Sequence, residues 1–158
     1  MIHSIRQRRL KAKTDYKARL ALLKSDKPRL VIRKTNKYMT AQLVESNLAQ
    51  DKVLFGLTSK ALLSKGWPKE KAGSLKSLPA AYLTGLLLGK TAKSKVKEAI
   101  LDLGMYRNIQ KSRIYAVLKG VIDSGLKISC NEKVLPSEKE LNVNPELNKF
   151  FDKVKSNI

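Results

Sequence analysis

Apolar positions follow two different periods along this chain. Between residues 29 and 58 they form β-branched or alternating runs, and from residue 79 they recur mostly at helical spacing. A short helical stretch comes first. Residues 14–24 (Thr-Asp-Tyr-Lys-Ala-Arg-Leu-Ala-Leu-Leu-Lys) favour a helix with Thr14 as N-cap and Asp15 in the first turn, and Pro28 closes the segment. Residues 29–35 (Arg-Leu-Val-Ile-Arg-Lys-Thr) form a β-branched run that reads as a strand. Asn36 and Lys37 make a tight turn. Residues 38–46 return as a second strand, with Tyr38, Thr40, Gln42 and Val44 alternating against Met39, Ala41 and Leu43. Residues 51–58 read as a third. Connections this short predict an antiparallel meander.

The rest of the chain changes period. Residues 64–79 hold Gly66, Pro68, Gly73 and Pro79 with Lys65, Lys69, Lys71 and Lys76, and read as a basic loop. Trp67 in that loop either anchors it to the core or offers a ring to a base. Pro79 suits the first turn of a helix running to about Val96. Residues 99–103 form a short apolar strand interrupted by Asp102. Residues 104–111 are a loop. Ser112 is placed to cap a helix carrying Ile114, Val117, Leu118, Val121 and Ile122, and Gly125 to end it. The last 30 residues are weakly patterned and are expected to lie on the surface. The strand–helix–strand part requires a crossover. The predicted fold is therefore α/β: a mixed four- to five-stranded sheet, an antiparallel meander plus a parallel crossover strand, with flanking helices. The expected organisation is a basic arm at 1–13, a core at 14–128 and a surface-lying extension at 129–158.

Charge turns this fold into a functional expectation. The 158 residues hold 33 Lys and Arg against 13 Asp and Glu, a net of +20. The first 40 hold 13 basic and 2 acidic residues, a net of +11, whereas residues 129–158 hold 5 of each. A charge so far from zero repels itself, and a polyanion relieves it. Nucleic acid is the commonest polyanion.

Other classes fall away. Cys130 is the only cysteine, so no internal disulfide can form, and His3 is the only histidine, so no His/Cys zinc set exists. No apolar run approaches the length that crosses a bilayer, and the basic N-terminus has no apolar stretch behind it. A cytoplasmic protein without membrane attachment is the expectation. Gly85, Gly89, Lys90 and Thr91 resemble a phosphate-binding loop, but three residues rather than four separate the glycines and the stretch lies in a helical pattern. The two glycines, one turn apart, suit close helix packing instead. Asp102 and Asp123 are isolated acids, unsuited to metal-dependent cleavage, and Asp102 is better suited to capping a loop or pairing with a lysine. No cofactor is expected.

Three stretches concentrate binding chemistry. The arm carries Arg6, Arg8, Arg9, Lys11 and Lys13, followed by Lys17 and Arg19. The first hairpin carries Arg33, Lys34, Thr35, Asn36, Lys37 and Tyr38. The loop before the last predicted helix carries Arg107, Asn108, Gln110, Lys111, Ser112 and Arg113. Cations reach phosphates, amides and hydroxyls reach 2′-hydroxyls and base edges, and Tyr38 or Tyr106 offers a stacking ring.

The wording of these segments resembles a known family. Lys13-Thr14-Asp15-Tyr16 with Ala18-Arg19, the run 28–37, Ala41-Gln42-Leu43-Val44, the helix 80–89, Leu101-Asp102-Leu103-Gly104, the stretch 116–126 and Leu135-Pro136-Ser137-Glu138 are similar to the archaeal and eukaryotic branch of the large-subunit ribosomal protein eighteen family, whose eukaryotic members are called large-subunit protein five. The resemblance implies a ribonuclease H-like architecture without its active site. It implies a non-enzymatic protein that binds 5S rRNA and attaches it to the large-subunit rRNA at the central protuberance, beside neighbouring ribosomal proteins. The contacts it implies fall on Arg6, Arg8, Arg9, Lys11, Lys13, Thr14, Tyr16, Arg19, Arg33, Thr35, Asn36 and Lys37. The alternative is a general polyanion-binding or RNA-chaperone protein with no fixed partner.

Overall fold

A computed structural model describes residues 7–47, 50–141 and 145–158. Arg6 lies outside them. Two short helices open the described chain, α1 (Gln7–Leu10) and α2 (Tyr16–Leu23). The meander follows: β1 (Arg29–Lys34), β2 (Met39–Asn47) and β3 (Gln50–Thr58). Then come two 3-10 turns (Ser59–Lys65 and Lys69–Ser74), helix α3 (Leu78–Ala92), β4 (Glu98–Asp102), α4 (Arg113–Asp123) and β5 (Lys127–Ile128). A 3-10 turn (Glu132–Val134), α5 (Glu138–Leu141) and α6 (Pro145–Ser156) complete it. Among the described residues the sheet order is β3-β2-β1-β4-β5. β1 and β3 run antiparallel to β2, and β4 runs parallel to both β1 and β5. The mixed sheet and its parallel crossover match the sequence expectation, and the order is compatible with a ribonuclease H-like architecture.

The period-two pattern of β1 and β2 sets the layers. Leu30 and Ile32 pair with Leu43 and Ala41, and all four are fully buried on the side that meets α3. Arg29, Val31 and Arg33 point the other way, towards α2. Helix α3 is apolar on every side and buried from Pro79 to Gly89, as a helix sandwiched between sheet and helices must be. Ser77 caps it, accepting from the Ala80 amide.

Helices α3 and α4 approach closely enough that their glycines are obligatory. A Cβ on Gly85 would overlap the Val117 carbonyl, and one on Gly120 would overlap the Tyr82 carbonyl. One on Gly89 would collide with Ser124. The Gly85–Gly89 spacing is thus a packing device. The Gly125 backbone, at φ +101°, ends α4 in the left-handed region that glycine tolerates.

Three local expectations change. Asp15, not Thr14, caps α2: its carboxylate accepts from the Lys17 and Ala18 amides at 3.0 and 3.2 Å, while the Thr14 hydroxyl accepts from Arg8 Nε at 2.9 Å. Residues 64–79 are no open loop. Trp67 and Leu75 are buried there, and the indole N–H donates to the Lys71 carbonyl, so Trp67 is an anchor. Helix α3 ends at Ala92, four residues short of the expected Val96, which instead lies buried just before β4.

The last 30 residues depart furthest from expectation. They add a 3-10 turn and two helices, and Leu147, Phe151 and Val154 are buried. The Phe151 ring lies 5.7 Å from that of Tyr82 on α3, whose hydroxyl donates to Asp123 at 2.8 Å. Burial and the Asp123 carboxylate both raise the Tyr82 pKa above its ordinary value. Removing two buried methyls by Val154→Ala should cost about 2 kcal/mol. Urea unfolding would read it as a lower midpoint with an unchanged slope, whereas a surface-lying tail would give no change.

Candidate nucleic-acid interface

Neighbouring cations of the first hairpin go to opposite faces. Arg33 lies on the α2 side. Its guanidinium donates to the Ile32 and Asp102 carbonyls at 2.9 Å each and to the Asp102 carboxylate at 3.2 Å. It rests on Gly104, where a Cβ would come within 2.9 Å of its Cζ. Lys34 lies on the other side, its ammonium 5.9 Å from the centre of the Tyr106 ring. The Tyr106 hydroxyl donates to the Lys34 carbonyl at 2.7 Å and accepts its N–H at 3.2 Å. The loop before α4 is therefore stapled to the end of β1.

Two basic grooves result. One, of about 630 Å³, lies between the arm, α2 and β4, and gathers Arg8, Lys13, Thr14, Arg19 and Arg33. The other, of about 600 Å³, gathers Lys34, Arg107, Lys111 and Arg113 around an apolar floor. Thr35, Asn36 and Lys37 form the exposed turn at the end of the hairpin. That turn is closed by Thr35, whose hydroxyl donates to the Tyr38 carbonyl and accepts the Tyr38 amide at 2.9 Å each. Lys76, from a segment the sequence separates from the hairpin, donates to the Asn36 carbonyl at 3.3 Å.

Some expected binders are engaged within the protein. Tyr38 packs partly against the core. Arg19 pairs with Asp51 at 2.7 Å, and Lys111 pairs with Glu140 at 2.7 Å. Glu140 also accepts from the Ser137 amide at 2.8 Å. These two contacts hold its carboxyl near 2, well below the usual carboxylate range. Tyr16 lies half-buried on α2, beside a shallow cleft formed with Lys17 and Arg19. Arg9, Lys11, Lys37, Arg107 and Arg113 are exposed cations with no ion pair among the described residues.

Beneath the arm lies a polar network that the strand pattern conceals. Arg29 is buried, with its guanidinium on Asp102 and Asp51 at 2.8 Å each and on Ser46 at 3.1 Å. Partial burial pushes the Asp51 carboxyl up. The Ser46 hydroxyl and the Arg19 and Arg29 guanidiniums outweigh it, bringing the pKa down to about 2. Asp102 also accepts from the Gly104 amide at 2.8 Å, so it caps the loop as expected but pairs with arginines rather than a lysine. An arginine opening an apolar strand was the available signal for this buried pair.

Comparison with known proteins gives the same direction. Residues 3–99 match the family described as ribosomal large subunit proteins 60S L5 and 50S L18. The large ribosomal subunit protein uL18 of Korarchaeum cryptofilum is 47% identical over 133 residues, 84% of this chain and 66% of the relative. Its counterpart in Methanococcus maripaludis is 47% identical over 137 residues, 86% and 69% respectively. That of Halobacterium salinarum is 45% identical over 130 residues, 82% and 69%. The chain thus spans about two thirds of the length of these relatives.

Proposed function

The chain belongs to the family of ribosomal large subunit proteins 60S L5 and 50S L18, and from that premise we propose that it is a non-enzymatic rRNA-binding protein of the large subunit. It binds 5S rRNA and attaches it to the large-subunit rRNA at the central protuberance, beside neighbouring ribosomal proteins. The observation that carries this reading is the placement of one hairpin end between two basic grooves, so that a single polyanion crossing the turn meets cations on both sides. The cations neutralise phosphates and release counterions, while the Thr35 and Asn36 side chains sit where ribose and base edges come within reach. Asp51 and Asp102 are spent on guanidiniums, which fits binding rather than cleavage.

The arm, the hairpin and the loop act together in this reading. Arg8, Arg9, Lys11 and Lys13 serve one groove, Lys37 the turn, and Arg107 and Arg113 the other groove. Arg33 and Arg19 act from orientations fixed by Asp102 and Asp51. Competition binding is the test: excess transfer RNA should not displace labelled 5S rRNA. Replacing Lys37, Arg107 and Arg113 together with Ala should weaken 5S rRNA binding about a hundredfold at 0.15 M salt and flatten the salt dependence by about two to three phosphates. Equal displacement by transfer RNA would point to a general polyanion binder instead.

A further inference from the structure

The 600 Å³ groove beside the hairpin is built for more than phosphate. Its floor is apolar, formed by Leu78, Pro79, Ile114, Leu141 and Leu147. Ile109 stands on its lip at 57% exposure, and Met105 on the same loop is 52% exposed. Apolar side chains held in water beside a ring of cations gain free energy when something covers them. The loop is fixed rather than loose. Tyr106 binds the Lys34 backbone, Tyr115 donates to Asn108 at 2.5 Å, and the Lys111 amide donates to the Val134 carbonyl at 2.9 Å. The groove is therefore pre-formed, which lowers the entropic cost of filling it. Among its described lining residues the one acid, Glu140, is neutralised by Lys111.

Resting on the RNA-binding reading above, we propose that this groove takes one unpaired nucleotide turned out of the bound RNA. The base lies on the apolar floor against Ile109 and the phosphate lies between Arg107 and Arg113. A paired RNA helix cannot fill it, because its bases stay stacked inside and it offers the protein only phosphates and groove edges. An unpaired nucleotide offers both an apolar face and a charge. The volume lies within the range of about 300–1,000 Å³ seen for small-ligand pockets. Continuity with the hairpin, through the Tyr106–Lys34 staple, favours nucleic acid over an acidic apolar protein segment.

The test uses the full chain and a double variant, Met105→Ser with Ile109→Ser, both at exposed sites, so the melting temperature should not move. Three probes are titrated: a 5S rRNA transcript, transfer RNA and a fully paired RNA duplex. The double variant should bind 5S rRNA about tenfold more weakly, keep its salt slope and bind the duplex as before. Unchanged affinity for 5S rRNA overturns the proposal and leaves the groove to an acidic apolar protein segment. An equal loss on the duplex overturns it too. Should the parent bind 5S and transfer RNA alike, the 5S assignment fails, yet a variant defect on transfer RNA but not on duplex would still support the groove.

Discussion

Gly85→Ala should lower the melting temperature by about 6–12 °C, a loss of about 3 kcal/mol in a domain of this size. The added methyl has nowhere to go. It would meet the Val117 carbonyl of α4, a backbone atom that cannot rotate aside. Relief requires the two helices to separate, and α3 is the element against which the sheet, α4 and α6 all pack. Gly120→Ala should behave alike, because its Cβ would meet the Tyr82 carbonyl from the opposite side. The two losses should not add, since one separation relieves both clashes. Gly73→Ala is the control: nothing lies within 4 Å of its Cβ, and its melting temperature should hold or rise slightly. A Gly85→Ala protein that melts with the parent would mean that α3 and α4 do not touch backbone to backbone.

Arg29→Ala should cost about 3–5 kcal/mol, because it removes the buried cation that two carboxylates share. Asp102 is almost fully buried and Asp51 is partly so. Asp102 would keep Arg33 and the Gly104 amide, but Asp51 would rely on Arg19 and Ser46 alone. Adding Asp102→Asn to Arg29→Ala should recover part of the loss by removing a buried charge left with one cation fewer. Acid titration gives an independent reading. The Asp51 pKa falls from an ordinary 3.8 to about 2 on folding, so its contribution is full above about pH 4 and is lost as pH drops towards 2. The parent should therefore lose stability through that window. Arg29→Ala should lose less there, having less of the contribution to begin with. A loss below about 1 kcal/mol in urea would show that Arg29 is not the centre of a buried network.

Much of the fold was legible because it rests on short-range rules. A β-branched run at 29–35 and alternation at 38–46 specified two strands and put Met39, Ala41 and Leu43 on one face, and the tight turn between the strands specified their pairing. The continuous apolar helix and the short strand after it required a crossover. A tally of charges placed the excess at the beginning of the chain. The C-terminal helix was harder. Leu147, Phe151 and Val154 are spaced four and three residues apart. That is a thin signal among polar neighbours, and it becomes a buried face only once α3 supplies its partner.

By itself, then, the sequence determined which segments alternate, which coil, where the chain turns and how much positive charge it carries, because each depends on residues a few positions apart. The tertiary structure alone decided what the cations face. Arg29 meets Asp51 from 22 residues away and Asp102 from 73, while Arg33 and Lys34, adjacent in the chain, end on opposite sides of the sheet. An ion pair or a groove is a distance between atoms, and only the closing of the sheet and the docking of its helices fixes distances across such spans.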